Sequence, residues 1–195
     1  MRLFVALDID DSIRAHITRF LDGVGGFAPD ARWVRPESLH VTLKFMREQS
    51  EDKLEKIRRA LESIVANTIE INIRGYGFFP SPGRPRLFWI GIESGAELAS
   101  LATTIGEKLA ELDIPKEEHI FSPHLTLARG ARNFGSPRQK KSDSNQHSFQ
   151  HLQEKLATLP GPEFGTMTAR EFFLYQSRLS PGGSKYRKLA AFALR

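Results

Sequence analysis

The chain of 195 residues contains no cysteine. That removes disulfide staples, thiol nucleophiles and cysteine metal sites, and it suits a reducing compartment, so a cytoplasmic location is expected. Long apolar runs are missing as well. Nothing approaches the roughly 20 residues of a membrane helix, and the start Met1-Arg2-Leu3-Phe4-Val5-Ala6-Leu7-Asp8 is too short and too soon charged for a secretory signal. No membrane partner is expected. A dinucleotide-binding glycine fingerprint and a phosphate-binding P-loop are both absent, and no Ser or Thr stands in a nucleophile elbow.

What is present suits a soluble, strand-rich protein: 40% hydrophobic residues, 26% charged residues and 14 Phe. At this length the chain can bury a good core as one domain or as two tightly joined lobes. The net charge of +5 and the pI of about 9.6 fit a polyanionic ligand such as RNA, and equally a basic protein with no such partner.

One pattern occurs twice. Ser38-Leu39-His40-Val41-Thr42-Leu43 and Ser122-Pro123-His124-Leu125-Thr126-Leu127 both reduce to Ser-x-His-Φ-Thr-Leu, with Φ apolar. Each reads as a strand from its polar/apolar alternation and β-branched content. Residues i and i+2 share a face of a strand, so His40 and Thr42 point one way and Val41 and Leu43 the other. The same holds for His124 and Thr126 against Leu125 and Leu127. The copies lie 84 positions apart, and that offset also carries Arg2-Leu3-Phe4 onto Arg86-Leu87-Phe88 and Asp11 onto Gly95. Ile9 and Ile92 miss this register by one place. The spacing argues for an internal repeat, approximately 2–76 and 86–176, within a single bilobed domain over 1–195, with both His-Thr pairs facing one cleft.

Along the chain, strands are expected over 3–9, 31–34, 40–46, 69–73, 87–92, 121–129, 167–175 and 186–194. Helices are expected over 11–22, 51–66 and 96–112 and from about 148, with apolar stripes such as Leu98, Leu101, Ile105, Leu109 and Leu112. Asp10, Asp11 and Ser12 offer capping chemistry to the first helix, and Gly23, Gly25 and Gly26 are expected to stop it. Residues 76–86 read as a Pro/Gly-rich loop, and about a dozen residues look inserted after the second motif. The expected fold class is antiparallel α+β, with sheets lining a central cleft and helices outside.

A pair of His-x-Thr units suits phosphoryl chemistry. A neutral imidazole takes a proton from water, a protonated one gives a proton to a leaving oxygen, and a reference pKa of about 6.5 lets both forms exist near neutrality. Threonine hydroxyls can hold the non-bridging phosphate oxygens. No third His, Asp or Glu stands at ligand spacing beside either motif, so no metal and no cofactor is expected. Arg129, at i+5 from His124, lies nominally on the opposite strand face, yet could reach phosphate from the strand's end. Phe45, at i+5 from His40, reads either as core or as a base-stacking ring. Arg132, Arg138, Lys140 and Lys141 form a basic loop that either guides RNA or serves solubility. His16, His119, His147 and His151 read as solvated surface.

The doubled His-x-Thr unit resembles the 2H phosphoesterase superfamily. The start Met1 to Asp8, the approach Arg32-Trp33-Val34-Arg35-Pro36-Glu37-Ser38-Leu39, the loop Phe79-Pro80-Ser81-Pro82, the run His124-Leu125-Thr126-Leu127-Ala128-Arg129 and the tail Leu179-Ser180-Pro181 with Tyr186 resemble its RNA 2′,3′-cyclic phosphodiesterase branch, whose members are often named 2′-5′ RNA ligases. The resemblance covers nearly the whole chain. It implies a LigT-like bilobed fold and metal-independent hydrolysis of 2′,3′-cyclic phosphate, on RNA ends or cyclic nucleotides, to a 2′-phosphomonoester. His40 would be general acid to the 3′ oxygen and His124 general base to water, with Thr42 and Thr126 holding the phosphate. Reversible 2′-5′ ligation and non-catalytic binding of RNA ends are the alternatives, and a monomer is expected. After Lys44-Phe45 the family usually shows an aliphatic residue and then Gly, where this chain has Met46-Arg47.

Overall fold

The computed structural model describes residues 1–83, 85–130, 149–180 and 183–195. The basic loop with Arg132, Arg138, Lys140 and Lys141, His147, and the stretch read as an insertion lie outside the described residues.

In chain order the elements are β1 Arg2–Leu7, α1 Asp11–Val24, β2 Arg32–Trp33, β3 Val41–Glu48, α2 Leu54–Glu62, β4 Ile69–Phe79, β5 Leu87–Ser94, α3 Ala96–Ala110, β6 His124–Arg129, α4 Gln150–Ala157, β7 Glu163–Ala169, β8 Glu171–Ser180 and β9 Gly183–Ala193. They form a four-stranded sheet, β3-β1-β8-β9, and a five-stranded sheet, β2-β6-β5-β4-β7, antiparallel throughout. The class is α+β. The sheet orders correspond term by term once the short β2 is set aside: β3 with β6, β1 with β5, β8 with β4, and β9 with β7. β4 lies against β5, and β8 lies against β1.

Alternation divides each sheet into two faces. Leu3, Val5 and Leu7 of β1, Val41 and Leu43 of β3, Phe88 and Ile90 of β5, and Leu125 and Leu127 of β6 point into one continuous core. The helices close that core with Ile13 and Ile17 of α1, Ile57 and Leu61 of α2, Leu98, Leu101, Ile105 and Leu109 of α3, and Leu152 and Leu156 of α4. On the other face of the first sheet Phe4, Ala6 and Tyr175 form a separate cluster, flanked by Phe173 and Tyr186. This second, smaller apolar cluster borders His40.

Four expectations need correction. The helix read over 51–66 ends at Glu62, and Val65 is almost fully exposed, while Ile64 tucks under the exit. The loop read over 76–86 starts only after Phe79, because Tyr76, Gly77, Phe78 and Phe79 pair with Ile90 to Leu87. The strand read over 167–175 is two strands that break at Arg170 and belong to different sheets, an event that uniform alternation hides. The glycines do not stop the first helix at 22. Gly23 is helical, and the helix runs into a 3-10 turn over Gly25–Phe27; Asp10 holds the N-cap position without a side-chain capping bond.

Candidate active site

The two motifs sit on matching strands with a matching irregularity. In the first sheet Val5 pairs with Lys44 and Ala6 with Thr42, which leaves Leu43 as an extra residue. In the second, Phe88 pairs with Ala128 and Trp89 with Thr126, which leaves Leu127 as an extra residue. A β-bulge opposes two residues to one and resets which face the following side chains take. His40, Thr42 and Phe45 therefore share a face, as do His124, Thr126 and Arg129. Burial shows the same shift: from the histidine onward both strands read half-buried, buried, half-buried, buried, buried, exposed. The opposite-face reading of Arg129 and the core reading of Phe45 are both corrected here. Phe45 is 56% exposed, and its ring centroid lies 5.9 Å from that of Phe4.

Matched by their pairing with the motif strands, β1 and β5 align one place away from the 84-residue offset of the motifs. Phe4 opposes Phe45 and Leu87 opposes Arg129, so β1 maps onto β5 at an offset of 83 while the motif strands keep 84. The mismatch of Ile9 and Ile92 marks this same shift.

Each histidine is held alike. His40 Nδ1 lies 2.7 Å from the Ser38 carbonyl, and His124 Nδ1 lies 2.8 Å from the Ser122 carbonyl. A carbonyl can only accept, so Nδ1 carries the proton in both rings and Nε2 is left to exchange one. The 3-10 turn Pro36–Ser38 presents the first of these carbonyls. The backbones of β3 and β6 approach within 8 Å. Lys44, buried beneath β3, donates to the Pro115 carbonyl and lies 3.1 Å from Glu117, tying the chain that leads to the second motif onto the first motif strand.

The surroundings are unequal. Beyond the pair Leu7–Val41 the next residues are Asp8 and His40, whereas His124 pairs with Gly91. A Cβ at Gly91 would stand 2.6 Å from the Arg74 carbonyl, so no side chain fits there. Asp8 accepts from Arg14 at 2.7 Å, from the Ile9 N–H at 2.9 Å and from Lys188. Burial disfavours its charge, but Lys188, the Ile9 N–H and Arg14 outweigh that and hold the carboxyl below its ordinary range. Arg14 also donates to the Ile9 and Pro36 carbonyls, and so fixes the turn that holds His40.

Around His40 stand Phe4, Tyr175 and Tyr186, at centroid distances of 4.8, 6.1 and 5.1 Å. Phe4 and Tyr175 stack at 5.0 Å. Burial pushes the His40 pKa below the usual imidazole value; the Ser38 carbonyl and Asp8 pull it up, and the Arg129 charge adds to the downward push. Arg129, on the other motif strand, thus acts on His40. Burial and then the Asp8 charge push the Tyr175 hydroxyl pKa up, so it remains a neutral phenol. His124 faces Trp89, at 6.3 Å between centroids, and the indole lies over Gly77, where a Cβ would meet it at 2.1 Å. A cavity of about 420 Å³ opens beside His40, lined by Asp8, Tyr175, Ser184, Lys185, Tyr186 and Lys188 together with Arg35, Glu37, Ser38 and Leu39.

The sequence pointed to His40, Thr42, Phe45, His124, Thr126 and Arg129. It did not single out Asp8, Arg14, Trp89, Tyr175 or Lys188. An available signal was the alternation of β1, which sets Asp8 on the face of Phe4 and Ala6, a carboxylate at the end of an otherwise apolar strand.

A family described as LigT-like phosphoesterases matches residues 7–89. The chain is 36% identical over 192 residues to the RNA 2′,3′-cyclic phosphodiesterase of Archaeoglobus fulgidus, covering 98% of this chain and 99% of that one. It is 32% identical over 202 residues to the enzyme of the same name from Methanothermobacter thermautotrophicus, covering 100% and 99%. The crystal structure of TT0787 from Thermus thermophilus superposes with a TM-score of 0.77 at 29% identity, covering 100% of this chain and 98% of that one. That of E. coli LigT complexed with 3′-AMP does so with 0.76 at 26%, covering 99% and 97%. The fold and the paired motif strands define a LigT-like phosphoesterase. Within that class, the chain belongs to the RNA 2′,3′-cyclic phosphodiesterase family.

Proposed function

We propose that this enzyme opens the 2′,3′-cyclic phosphate at RNA 3′ ends by hydrolysis to a 2′-phosphomonoester. The observation that carries the mechanism is the matched setting of His40 and His124: each has Nδ1 pinned to a carbonyl two residues upstream, and each has a threonine two residues downstream on the same face. Two imidazoles whose Nε2 atoms stay available for proton exchange supply one base and one acid.

The inequality of their surroundings supports the division of labour. His124 takes a proton from water, which attacks phosphorus in line with the P–O3′ bond. His40 gives its proton to O3′ as that bond breaks, and the phosphate stays on O2′. Asp8 favours the imidazolium that His40 must become, and the bound phosphate adds a second negative charge. Thr42, Thr126 and Arg129 hold the non-bridging oxygens. Phe45, exposed on the same face as His40, offers a base a surface to stack on. Halves 2–76 and 86–176 are two copies of one unit, a reading supported by the shared bulge and the corresponding sheet orders.

The test is incubation of an oligonucleotide ending in a 2′,3′-cyclic phosphate with the protein in chelator. Gain of one water and a 2′-phosphomonoester by phosphorus NMR are expected. An unchanged end, or a 3′-phosphomonoester, overturns the reading.

A further inference from the structure

The cavity beside His40 lies on one side of the reacting centre, and in-line geometry says what that side must hold. The water and O3′ stand on opposite sides of phosphorus. O3′ belongs to the ribose, so the nucleoside lies on the side of the acid, His40, and the water on the side of His124. A 2′,3′-cyclic end has no nucleotide beyond it in the 3′ direction. The cavity next to His40 can then receive only what that ribose carries, its base and whatever is attached at O5′.

Its lining discriminates between these. Three cations reach it. Lys188 is paired with Asp8 and lies 4.0 Å over the Phe173 ring, and Arg35 is 3.8 Å from Glu37. Lys185, exposed on β9, has no carboxylate partner among the described residues, and it shares the cavity with the Ser184 hydroxyl and the Tyr186 ring. An ammonium and a hydroxyl beside an aromatic wall are an anion site next to a nucleoside site.

We infer that Lys185, with Ser184, binds the phosphate on O5′ of the terminal nucleoside, so that the enzyme distinguishes RNA ends from free 2′,3′-cyclic mononucleotides lacking a 5′ phosphate. This rests on the assignment of His40 as the acid.

The experiment compares kcat/KM for adenosine 2′,3′-cyclic phosphate with that for its 5′-phosphorylated form and for a dinucleotide bearing the same cyclic end, in the wild type and in Lys185→Ala, Lys185→Arg and Lys56→Ala. In the wild type both 5′-substituted substrates are favoured on the order of tenfold, the scale of one charge-assisted contact to phosphate at an exposed site. Lys185→Ala brings the ratio toward one, chiefly through KM, and Lys185→Arg retains most of it. Lys56, exposed on α2 and not part of the cavity's lining, loses the same charge and leaves the ratio as it is. An unchanged ratio in Lys185→Ala, or an equal fall in Lys56→Ala, overturns the subsite. A wild-type protein inactive on all three substrates would instead overturn the hydrolase reading.

Discussion

Leu43 and Leu127 occupy the same place in two strands: each is the extra residue of a β-bulge three positions after a histidine. Each buries its side chain in the core and turns the residue two positions on, Phe45 or Arg129, back to the face of the histidine. The placement of both residues on the histidines' face depends on this fault in the alternation. Regular strands would have buried an arginine and an aromatic ring on the wrong side.

The bulge makes Phe45 a surface residue of the cleft. Phe45→Ala should cost less than about 1 kcal/mol in urea unfolding, well below the roughly 3–5 kcal/mol of a core phenylalanine. It should raise KM for an oligonucleotide. A core-sized loss of stability would show that the ring packs inward.

Arg47 has φ 58°, in the left-handed region that glycine tolerates best. The strand pairs Leu3 with Arg47 and Phe4 with Phe45, so Met46 is the extra residue of a second bulge and Arg47 follows it. The departure from the family's usual glycine therefore falls on a strained position. Arg47→Gly should stabilise the protein by about 1 kcal/mol, the scale of the left-handed penalty, read as a higher urea midpoint at unchanged slope. A lower midpoint would mean that the arginine side chain makes contacts worth more than the strain.

Much of this molecule was legible in the sequence because its main signals are local. Alternation marked the motif strands, and an apolar stripe marked α3. The histidines stood out because the same six-residue pattern recurs. What escaped was set by pairing across the sheet. A bulge at Leu43 is visible only as a double apolar step, which resembles ordinary core. The break at Arg170 sends two halves of one apparent strand to different sheets, and local pattern carries no record of which sheet a strand joins. Asp8 and Lys188 meet across 180 positions, and Arg14 reaches the Pro36 carbonyl from a helix. None of these partners has a spacing that names the other.

Asp8 and Arg129 act on His40 with opposite sign. On the proposed mechanism His40 is the acid and must be protonated, so its pKa in the free enzyme bears on the alkaline limb of kcat/KM. Arg129→Gln removes a charge that disfavours the imidazolium, so this limb should move to higher pH while kcat/KM falls through lost phosphate contact. Asp8→Asn removes a charge that favours the imidazolium, so the limb should move to lower pH. The pH–rate profiles of the two variants decide the matter. Shifts in one direction for both would show that the substitutions act through general loosening of the site.

The pair of histidines should behave as a unit, and the substrate should alter it. His40→Ala and His124→Ala should each lose about 10²–10⁴-fold in turnover, the scale of positioned acid–base groups, and the double variant should lose less than the product of the two. The limbs of the bell-shaped profile belong to the pair. In the free enzyme burial holds His40 below its ordinary imidazole value, which lowers the share of molecules in which it is protonated at neutral pH. On the proposed mechanism the bound phosphate lies against His40 and favours its charged form, so the alkaline limb of kcat should lie at higher pH than that of kcat/KM. Binding then draws a proton onto His40, and the KM for cyclic phosphate rises as the pH rises between the two limbs. Coincident limbs in the two profiles, or full turnover in His124→Ala, would show that the proton given to O3′ does not come from a substrate-charged His40 acting with His124.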